Sequence, residues 1–331
     1  METHPPPIVG AVLAAGLGTR LRPLTDFKPK PLVPVVGLPL LEWALDALDA
    51  LGVAAVGVNL FHHADQVPHA LAHRALEPVF VHEETLQGTG GGLRGLAAAL
   101  PRATLVAANG DALFDFDLAP VLAAHRARGA LGTLALRRPR PGEDFGRVAI
   151  DPVTGQIARI AEVRGPNADA AGLIEGIFTG VQVLEPALIA ALPPEGACDV
   201  LRTAWAMCLT EGARLIGTFV PDDALWIDVG TPARYLEAQA EVLRRSSRPR
   251  LPAADAAGRR VDATATVDAA ATLEGPCWIG PSARVEAGAF VGAGTVVDTG
   301  AVVRSGVRLE RCVLWPGAVA VESAADHVFV A

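Results

Sequence analysis

Lysine is almost missing. The 331-residue chain has two, Lys28 and Lys30, and both fall within Thr25-Asp-Phe-Lys-Pro-Lys-Pro31; nearly every other positive charge is an arginine. Heavy use of Ala, Gly, Pro and Arg points to a coding bias against lysine. Where lysine persists, a compact ammonium can be needed that the planar guanidinium fork does not replace. Cysteine is also sparse: Cys198, Cys208, Cys277 and Cys312 have no C-x-x-C or disulfide-framework spacing, which fits a reducing cytoplasm. Excess positive charge is absent. A net charge of −8 argues against nonspecific nucleic-acid binding. No apolar stretch approaches the ~20 residues of a membrane span. The first such run, Ile8 to Leu17, lacks a basic flank and enters Gly18-Thr-Arg-Leu-Arg-Pro23, unlike a signal peptide. A cytoplasmic protein with neither nucleic-acid nor membrane partners is expected.

What is present is ample core material, 51% hydrophobic residues, and a length that suggests two domains or one with an appendage. Short apolar runs alternate with Ala/Leu-rich helical patterns from Ile8 to Arg245. Strands are predicted at Ile8–Leu13, Ala54–Asn59, Pro78–His82, Thr104–Ala108, Leu131–Leu136, Gly176–Leu184 and Leu215–Val220. Helices are predicted at Leu40–Leu51, Asp65–Arg74, Gly92–Leu100, Ala119–Arg128, Pro186–Leu192, Val200–Thr210 and Ala233–Arg245. The alternation predicts an α/β domain, residues 1–245, with a mostly parallel sheet. Residues 246–258, beginning Ser246-Ser-Arg-Pro-Arg-Leu-Pro252, read as a linker.

Beyond the linker, over 259–331, the period becomes six. Val261, Val267, Leu273, Ile279, Val285, Val291, Val297, Val303 and Leu309 fall at every sixth position, and Trp315 and Val321 are expected to keep the register. Small or modest side chains such as Ala283, Ala289, Thr295 and Ala301 follow four residues later. Neither a helix (period 3.6) nor an ordinary strand (period 2) fits this spacing, whereas a hexapeptide β-helix does.

The first predicted strand feeds Ala14-Ala-Gly-Leu-Gly-Thr-Arg-Leu-Arg-Pro-Leu-Thr25. A glycine-rich turn at the carboxyl end of a parallel strand exposes backbone N–H groups that can cradle phosphate. Neither common nucleotide loop is present, since G-x-x-x-x-G-K-[ST] is absent and Gly16-x-Gly18 has no third glycine at the G-x-G-x-x-G spacing. Instead Arg20, Arg22, Lys28 and Lys30 crowd onto one loop of an acidic chain, a cluster suited to a triphosphate.

The string from Leu13 to Thr25, with Pro29-Lys-Pro-Leu-Val-Pro-Val35, resembles the signature of sugar-1-phosphate nucleotidylyltransferases, and a trailing left-handed β-helix also occurs in that superfamily. The resemblance implies a Rossmann-like nucleotidyltransferase domain followed by a left-handed parallel β-helix. It implies an enzyme that joins an NTP and a sugar 1-phosphate into an NDP-sugar and pyrophosphate. By it, Leu13, Ala14, Ala15, Gly16, Gly18 and Thr19 bind the nucleotide, Arg20 holds its outer phosphates, and Lys30 bridges phosphates of both substrates. Lys28 occupies a variable spacer position.

Asp111 ends Thr104-Leu-Val-Ala-Ala-Asn-Gly-Asp, and Asp228 ends the apolar run Leu225-Trp-Ile-Asp. A lone Asp after a strand also serves as a turn or N-cap residue. The family pattern matches both positions, implying two carboxylate ligands for a Mg²⁺ whose shell the substrate phosphates and water complete. Glu83, Gly88 and Thr89 in Glu83-Glu-Thr-Leu-Gln-Gly-Thr resemble the base-recognition loop. A carboxylate only accepts hydrogen bonds, which disfavours cytosine and leaves guanine and uracil. On the sugar side, Gly146, Glu162 and Thr179 match family positions, but Val163 stands where a lysine would grip the sugar phosphate, with Arg164 beside it. The Thr-Gly-Gly-Gly loop is similar to N-acetylmuramate-1-phosphate uridylyltransferases, and the β-helix to mannose-1-phosphate guanylyltransferases.

His69 and His73 share a helix spacing but lack the H-E-x-x-H glutamate, so a solvated face is expected. No histidine lies between Gly258 and Asp326 to supply the base of a hexapeptide acyltransferase. The β-helix is expected instead to carry homo-oligomer contacts. A non-catalytic sugar-nucleotide-sensing regulatory subunit is the alternative from another class.

Overall fold

The computed structural model describes residues 7–245 and 253–331, so 246–252 of the expected linker lies outside the described residues. The chain forms two compact units. One comprises the chain up to Leu17 with Lys28–Leu32 and Leu41–Trp226; the other comprises Gly18–Phe27, Val33–Leu40 and Ile227–Ala331.

The first unit is built on a ten-stranded mixed sheet. Its strands are β1 (Ile8–Leu13), β2 (Val56–Leu60), β3 (Val79–His82), β4 (Thr104–Asn109), β5 (Gly132–Arg137), β6 (Arg147–Ile150), β7 (Ile157–Ile160), β8 (Val163–Arg164), β9 (Ile174–Leu184) and β10 (Leu215–Phe219). They lie in the order β8-β7-β6-β9-β4-β1-β2-β3, with β5 on β9 and β10 beyond β5. The β4-β1-β2-β3 portion is parallel, as is the β5–β10 pair, whereas β9 runs antiparallel to β4, β5 and β6. The helices are α1 (Leu40–Leu51), α2 (Gln66–Leu71), α3 (Gly88–Ala99), α4 (Ala119–Ala127), α5 (Pro186–Ala190), α6 (Ala206–Thr210) and, in the second unit, α7 (Pro232–Arg245).

β1 shows why this part is a sandwich of helices on a sheet. Its side chains alternate faces with period two. Ile8 and Val12 enter one core with Leu41, Ala44, Leu45 and Leu48 of α1. Val9 and Ala11 enter the other with Leu93 and Leu96 of α3 and with Leu100 beyond its end. A strand covered on both faces is apolar throughout, as Ile-Val-Gly-Ala-Val-Leu is.

Two elements differ from the sequence expectation for instructive reasons. α3 begins at Gly88 rather than Gly92, because tertiary packing carries the helix through Gly90-Gly91-Gly92 despite glycine's cost of ~1 kcal/mol per helical position. A Cβ on Gly90 would lie 2.6 Å from Cys198 Sγ, and one on Gly92 2.5 Å from Asn59 Nδ2. The helix predicted at Val200–Thr210 is a π-helical turn, Leu201–Trp205, continuing into α6.

In the second unit, residues from Arg259 onward wind into three stacked sheets of parallel two- or three-residue strands, consistent with the left-handed β-helix expected. Val267 pairs with Val285, Val285 with Val303, and Val291 with Leu309, each 18 residues apart, three hexads per coil. Ile279, Val285, Val291, Val297, Val303 and Leu309 fill the interior, with Ala283, Ala289 and Ala301 beside them. The register then changes. Val297 pairs with Leu314 and Val303 with Ala320, 17 residues on. The expectation that Trp315 and Val321 keep the hexad is therefore wrong. One residue is missing from the corner after Leu309, so Leu314 and Ala320 turn inward while Val321 is 71% exposed. Trp315 is buried outside the coil core, donating its Nε1–H to the Tyr235 hydroxyl of α7 at 3.0 Å. Tyr235 donates in turn to the Pro34 carbonyl at 2.6 Å, and Gln239 brackets the same turn through Pro34 O and Val36 N. Gly37, at φ +78°, lies against the Trp278 ring, with which any side chain there would collide.

Candidate active site

The parallel strands of the first unit end together, and a cavity of about 230 Å³ opens where they end. Such carboxyl-end crevices are where open α/β sheets bind ligands. Its walls come from Leu13 ending β1 and the turn after it (Ala14, Ala15, Gly16), Asn59 of β2, Glu83 after β3, Gly88 and Thr89 opening α3, Asn109 ending β4 and Asp111 after it, with Lys30 and Pro31. Gly16 has open space around it, so the backbone there is accessible to a ligand. The α3 N-terminus brings the positive end of a helix dipole to the same cavity.

Lys30 is 5% exposed, yet its ammonium lies 2.9 Å from Asp111 Oδ2. A 3₁₀ turn, Lys30–Leu32, sets its direction. The ammonium is thus held at the cavity beside a carboxylate that is itself half exposed, 44% of its side chain accessible.

Opposite this pair stands a polar chain. Asn59 Oδ1 accepts the Ala14 N–H at 2.7 Å, Asn59 Nδ2 donates to Glu83 Oε1 at 2.6 Å, and the Gln87 N–H donates to Glu83 Oε2 at 2.9 Å. Gly88, at φ +67°, packs on the Cys198 carbonyl, where a Cβ would lie at 2.6 Å. Thr89 Oγ1 accepts from the Val200 N–H at 2.9 Å. The loop's conformation is therefore fixed from beneath by the Cys198–Val200 segment.

The cavity brings together Leu13, Ala14, Ala15, Gly16, Lys30, Glu83, Gly88, Thr89 and Asp111. Gly18, Thr19, Arg20 and Asp228 belong to the second unit. There Gly18, at φ +63°, opens the turn Thr19–Leu21, and Thr25 Oγ1 closes the loop onto the Gly18 carbonyl at 3.0 Å. Arg20, largely exposed, faces Asp228 at 3.9 Å, and a Cβ on Gly230 would lie 3.1 Å from that carboxylate.

The three sugar-side residues do not line the cavity. Gly146 and Glu162 are exposed, and Arg164 is paired with Asp169. Thr179 is buried, its hydroxyl donating to the Ala135 carbonyl at 2.9 Å. Around it sits a cluster that sequence reasoning missed. Buried Arg137 makes a bidentate pair with Glu143 at 2.8 Å and lies 4.4 Å over the Trp226 ring. Trp226 meets Phe145 edge-on and donates to the Thr179 carbonyl at 2.6 Å. Burial would raise the Glu143 carboxyl, but hydrogen bonds from Arg137 and the Arg140 N–H outweigh it and hold the group below its ordinary value. Asn59 was missed too. Its only signal was a polar residue ending an apolar strand.

No group of three or more His, Cys, Asp or Glu among the described residues is arranged to hold a metal by itself. Among them no helix is long and apolar enough to cross a membrane. Residues 9–245 match the nucleotidyl transferase family, and the chain belongs to it. It is 33% identical over 247 residues to a mannose-1-phosphate guanylyltransferase of Mycobacterium tuberculosis, covering 74% of this chain and 66% of that protein. It is 31% identical over 249 residues to an N-acetylmuramate alpha-1-phosphate uridylyltransferase of Caulobacter vibrioides, covering 71% and 97%. To a UTP–glucose-1-phosphate uridylyltransferase of Synechocystis it is 28% identical over 250 residues, covering 71% and 63%. The chain thus spans just under two thirds of the first and third of these relatives.

Proposed function

We propose that this chain transfers a nucleotidyl group from an NTP to a sugar 1-phosphate, releasing pyrophosphate and an NDP-sugar. The observation that carries the reading is the buried Lys30 ammonium, set beside Asp111 in a cavity floored by the backbone turn after β1. The sugar phosphate oxygen, already an anion near neutral pH, attacks the α-phosphorus in line, and the bond to the leaving pyrophosphate breaks. No strong general base is needed. The rate comes from positioning and from neutralising charge that builds on the phosphates.

In this assignment Leu13–Gly16 bind the nucleotide, with the open backbone at Gly16 available to phosphate, and Lys30 supplies a fixed positive charge. Arg20, exposed on its turn, serves the outer phosphates, with Gly18 and Thr19 shaping that turn. Glu83, Gly88 and Thr89 meet the base. Gly146, Glu162 and Thr179 belong to the sugar side, where the Arg137–Glu143 clamp and Trp226 fix the backbone. Asp111, half exposed at the cavity, offers a carboxylate to Mg²⁺ bound with substrate, an ion that takes one or two of these and fills its shell with phosphate oxygens and water; Asp228 is the second carboxylate that the family pattern implies. When bound, the ion offsets phosphate charge.

The relatives' names make mannose 1-phosphate and N-acetylmuramate 1-phosphate the first sugars to try. The deciding measurement is pyrophosphate release across a panel of NTPs and sugar phosphates. Turnover with any pair supports the reading; none with the whole panel, from a protein that still binds nucleotide, favours a sensor.

A further inference from the structure

Glu83 is held from both sides by donors. Asn59, only 2% exposed, accepts the Ala14 N–H through Oδ1 at 2.7 Å. A backbone amide can only donate, so this contact fixes which end of the Asn59 amide is which. Nδ2 must then point at Glu83 Oε1, 2.6 Å away, while the Gln87 N–H takes Oε2 at 2.9 Å. Gly92 closes the arrangement, since a Cβ there would lie 2.5 Å from Asn59 Nδ2 and 3.2 Å from Glu83 Oε1. One side chain therefore ties the phosphate-side turn to the carboxylate on the opposite wall of the same cavity.

We propose that Asn59 is a positioning residue that presents Glu83 as a two-oxygen acceptor, and that the base selected is guanine. The inference rests on the nucleotidyl-transfer reading and deepens it. Each carboxylate oxygen has two acceptor sites, and the protein fills one on each. One remains on Oε1 and one on Oε2. Guanine alone among the common bases offers two adjacent donors, N1–H and N2–H₂, on its Watson–Crick edge. Uracil offers one N–H between two carbonyls, so the second oxygen of Glu83 would face a carbonyl oxygen. Adenine and cytosine each offer one amino group beside a ring-nitrogen acceptor, with the same mismatch.

The test is calorimetric titration of GTP and UTP, with Mg²⁺, into the full chain and three variants. Wild type is expected to bind GTP at least about tenfold tighter than UTP, the value of one charged hydrogen bond gained and one repulsion avoided. Asn59→Asp sets two carboxylates against each other and should cut GTP binding at least about tenfold. Glu83→Gln should erase the preference. In the double variant Asn59→Asp/Glu83→Gln, the new amide NH₂ at position 83 donates to the new carboxylate at position 59, while the amide oxygen still accepts from the Gln87 N–H. The chain of hydrogen bonds is whole again, but its base-facing side is now donor plus acceptor. That variant should regain nucleotide binding with the preference moved toward UTP. Equal GTP and UTP binding by wild type overturns the inference while leaving nucleotidyl transfer standing, as does a double variant that keeps the wild-type preference. Should Asn59→Asp fail to fold by circular dichroism, Glu83→Gln and the double variant still decide it. Absence of NTP binding and of pyrophosphate release by wild type removes both readings.

Discussion

Lys30 threads a four-carbon stem through a buried position to deliver one charge beside Asp111. A guanidinium is wider and planar and does not reproduce a compact ammonium at a position this buried. Lys30→Arg is therefore expected to lose at least about tenfold in turnover while still melting cooperatively. Lys30→Ala and Asp111→Asn should each lose about 10²-fold, the scale of one electrostatic contact to a transition state. Pyrophosphate release by these three variants checks all of this, and a fully active Lys30→Arg would show that scarcity of lysine carries no functional meaning here. The cysteines make a second residue-level test. Burial pushes the Cys277 thiol up to about 11 and also raises Cys208 and Cys312. Native protein should then react with a thiol reagent first at half-buried Cys198, and denatured protein at all four. Fast native labelling of Cys277 would contradict the packing of the coil.

At the scale of elements, the apolar runs gave strands and helices away, and the exceptions have physical causes. β1 and α1 match their predicted spans because both read as unbroken periodic patterns. The short strands β6, β7 and β8 and the start of α3 were not legible, since two to four residues carry no period and glycine mimics a loop until its neighbours are known. The cavity residues Leu13–Gly16, Lys30, Glu83 and Asp111 could be read from the signature. Asn59 could not, because its importance lies in two partners, one 45 residues earlier and one 24 later. The hydrogen-bond relay Trp315–Tyr235–Pro34 was equally hidden, and it makes a clear prediction. Tyr235→Phe leaves the Trp315 N–H buried without its acceptor and should cost about 1–3 kcal/mol in denaturant unfolding. The Glu143 clamp predicts a pH effect. Its carboxyl is lowered in the folded chain, so its stabilisation is complete above the ordinary value of ~4.3 and fades as acid protonates the folded form. The stability gap between wild type and Glu143→Gln should hold at neutral pH and shrink below ~4. A gap that widens in acid would refute the clamp.

Across the whole molecule, the chain changes unit inside its own signature, at Leu17/Gly18, Phe27/Lys28, Leu32/Val33 and Leu40/Leu41. The hexad coil is accordingly one body with Pro34–Gly37 and α7, and its removal would strip Tyr235 and Gly37 of their partners. A chain ending at Arg245 is expected to aggregate, or to melt well below the full chain, as seen by size-exclusion chromatography and thermal unfolding. The coil itself shortens as it proceeds: partners lie 18 residues apart through Val291–Leu309, then 17 at Val297–Leu314, then 15 at Leu309–Ala324. Stacked repeats of constant size present an end identical to their beginning, and nothing in such a stack forbids another chain from continuing it. Here each late turn is smaller than the one below, so the late turns do not repeat the 18-residue gauge of the early ones. The missing residues at the corners thus narrow the stack as it proceeds, from an 18-residue coil to a 15-residue one.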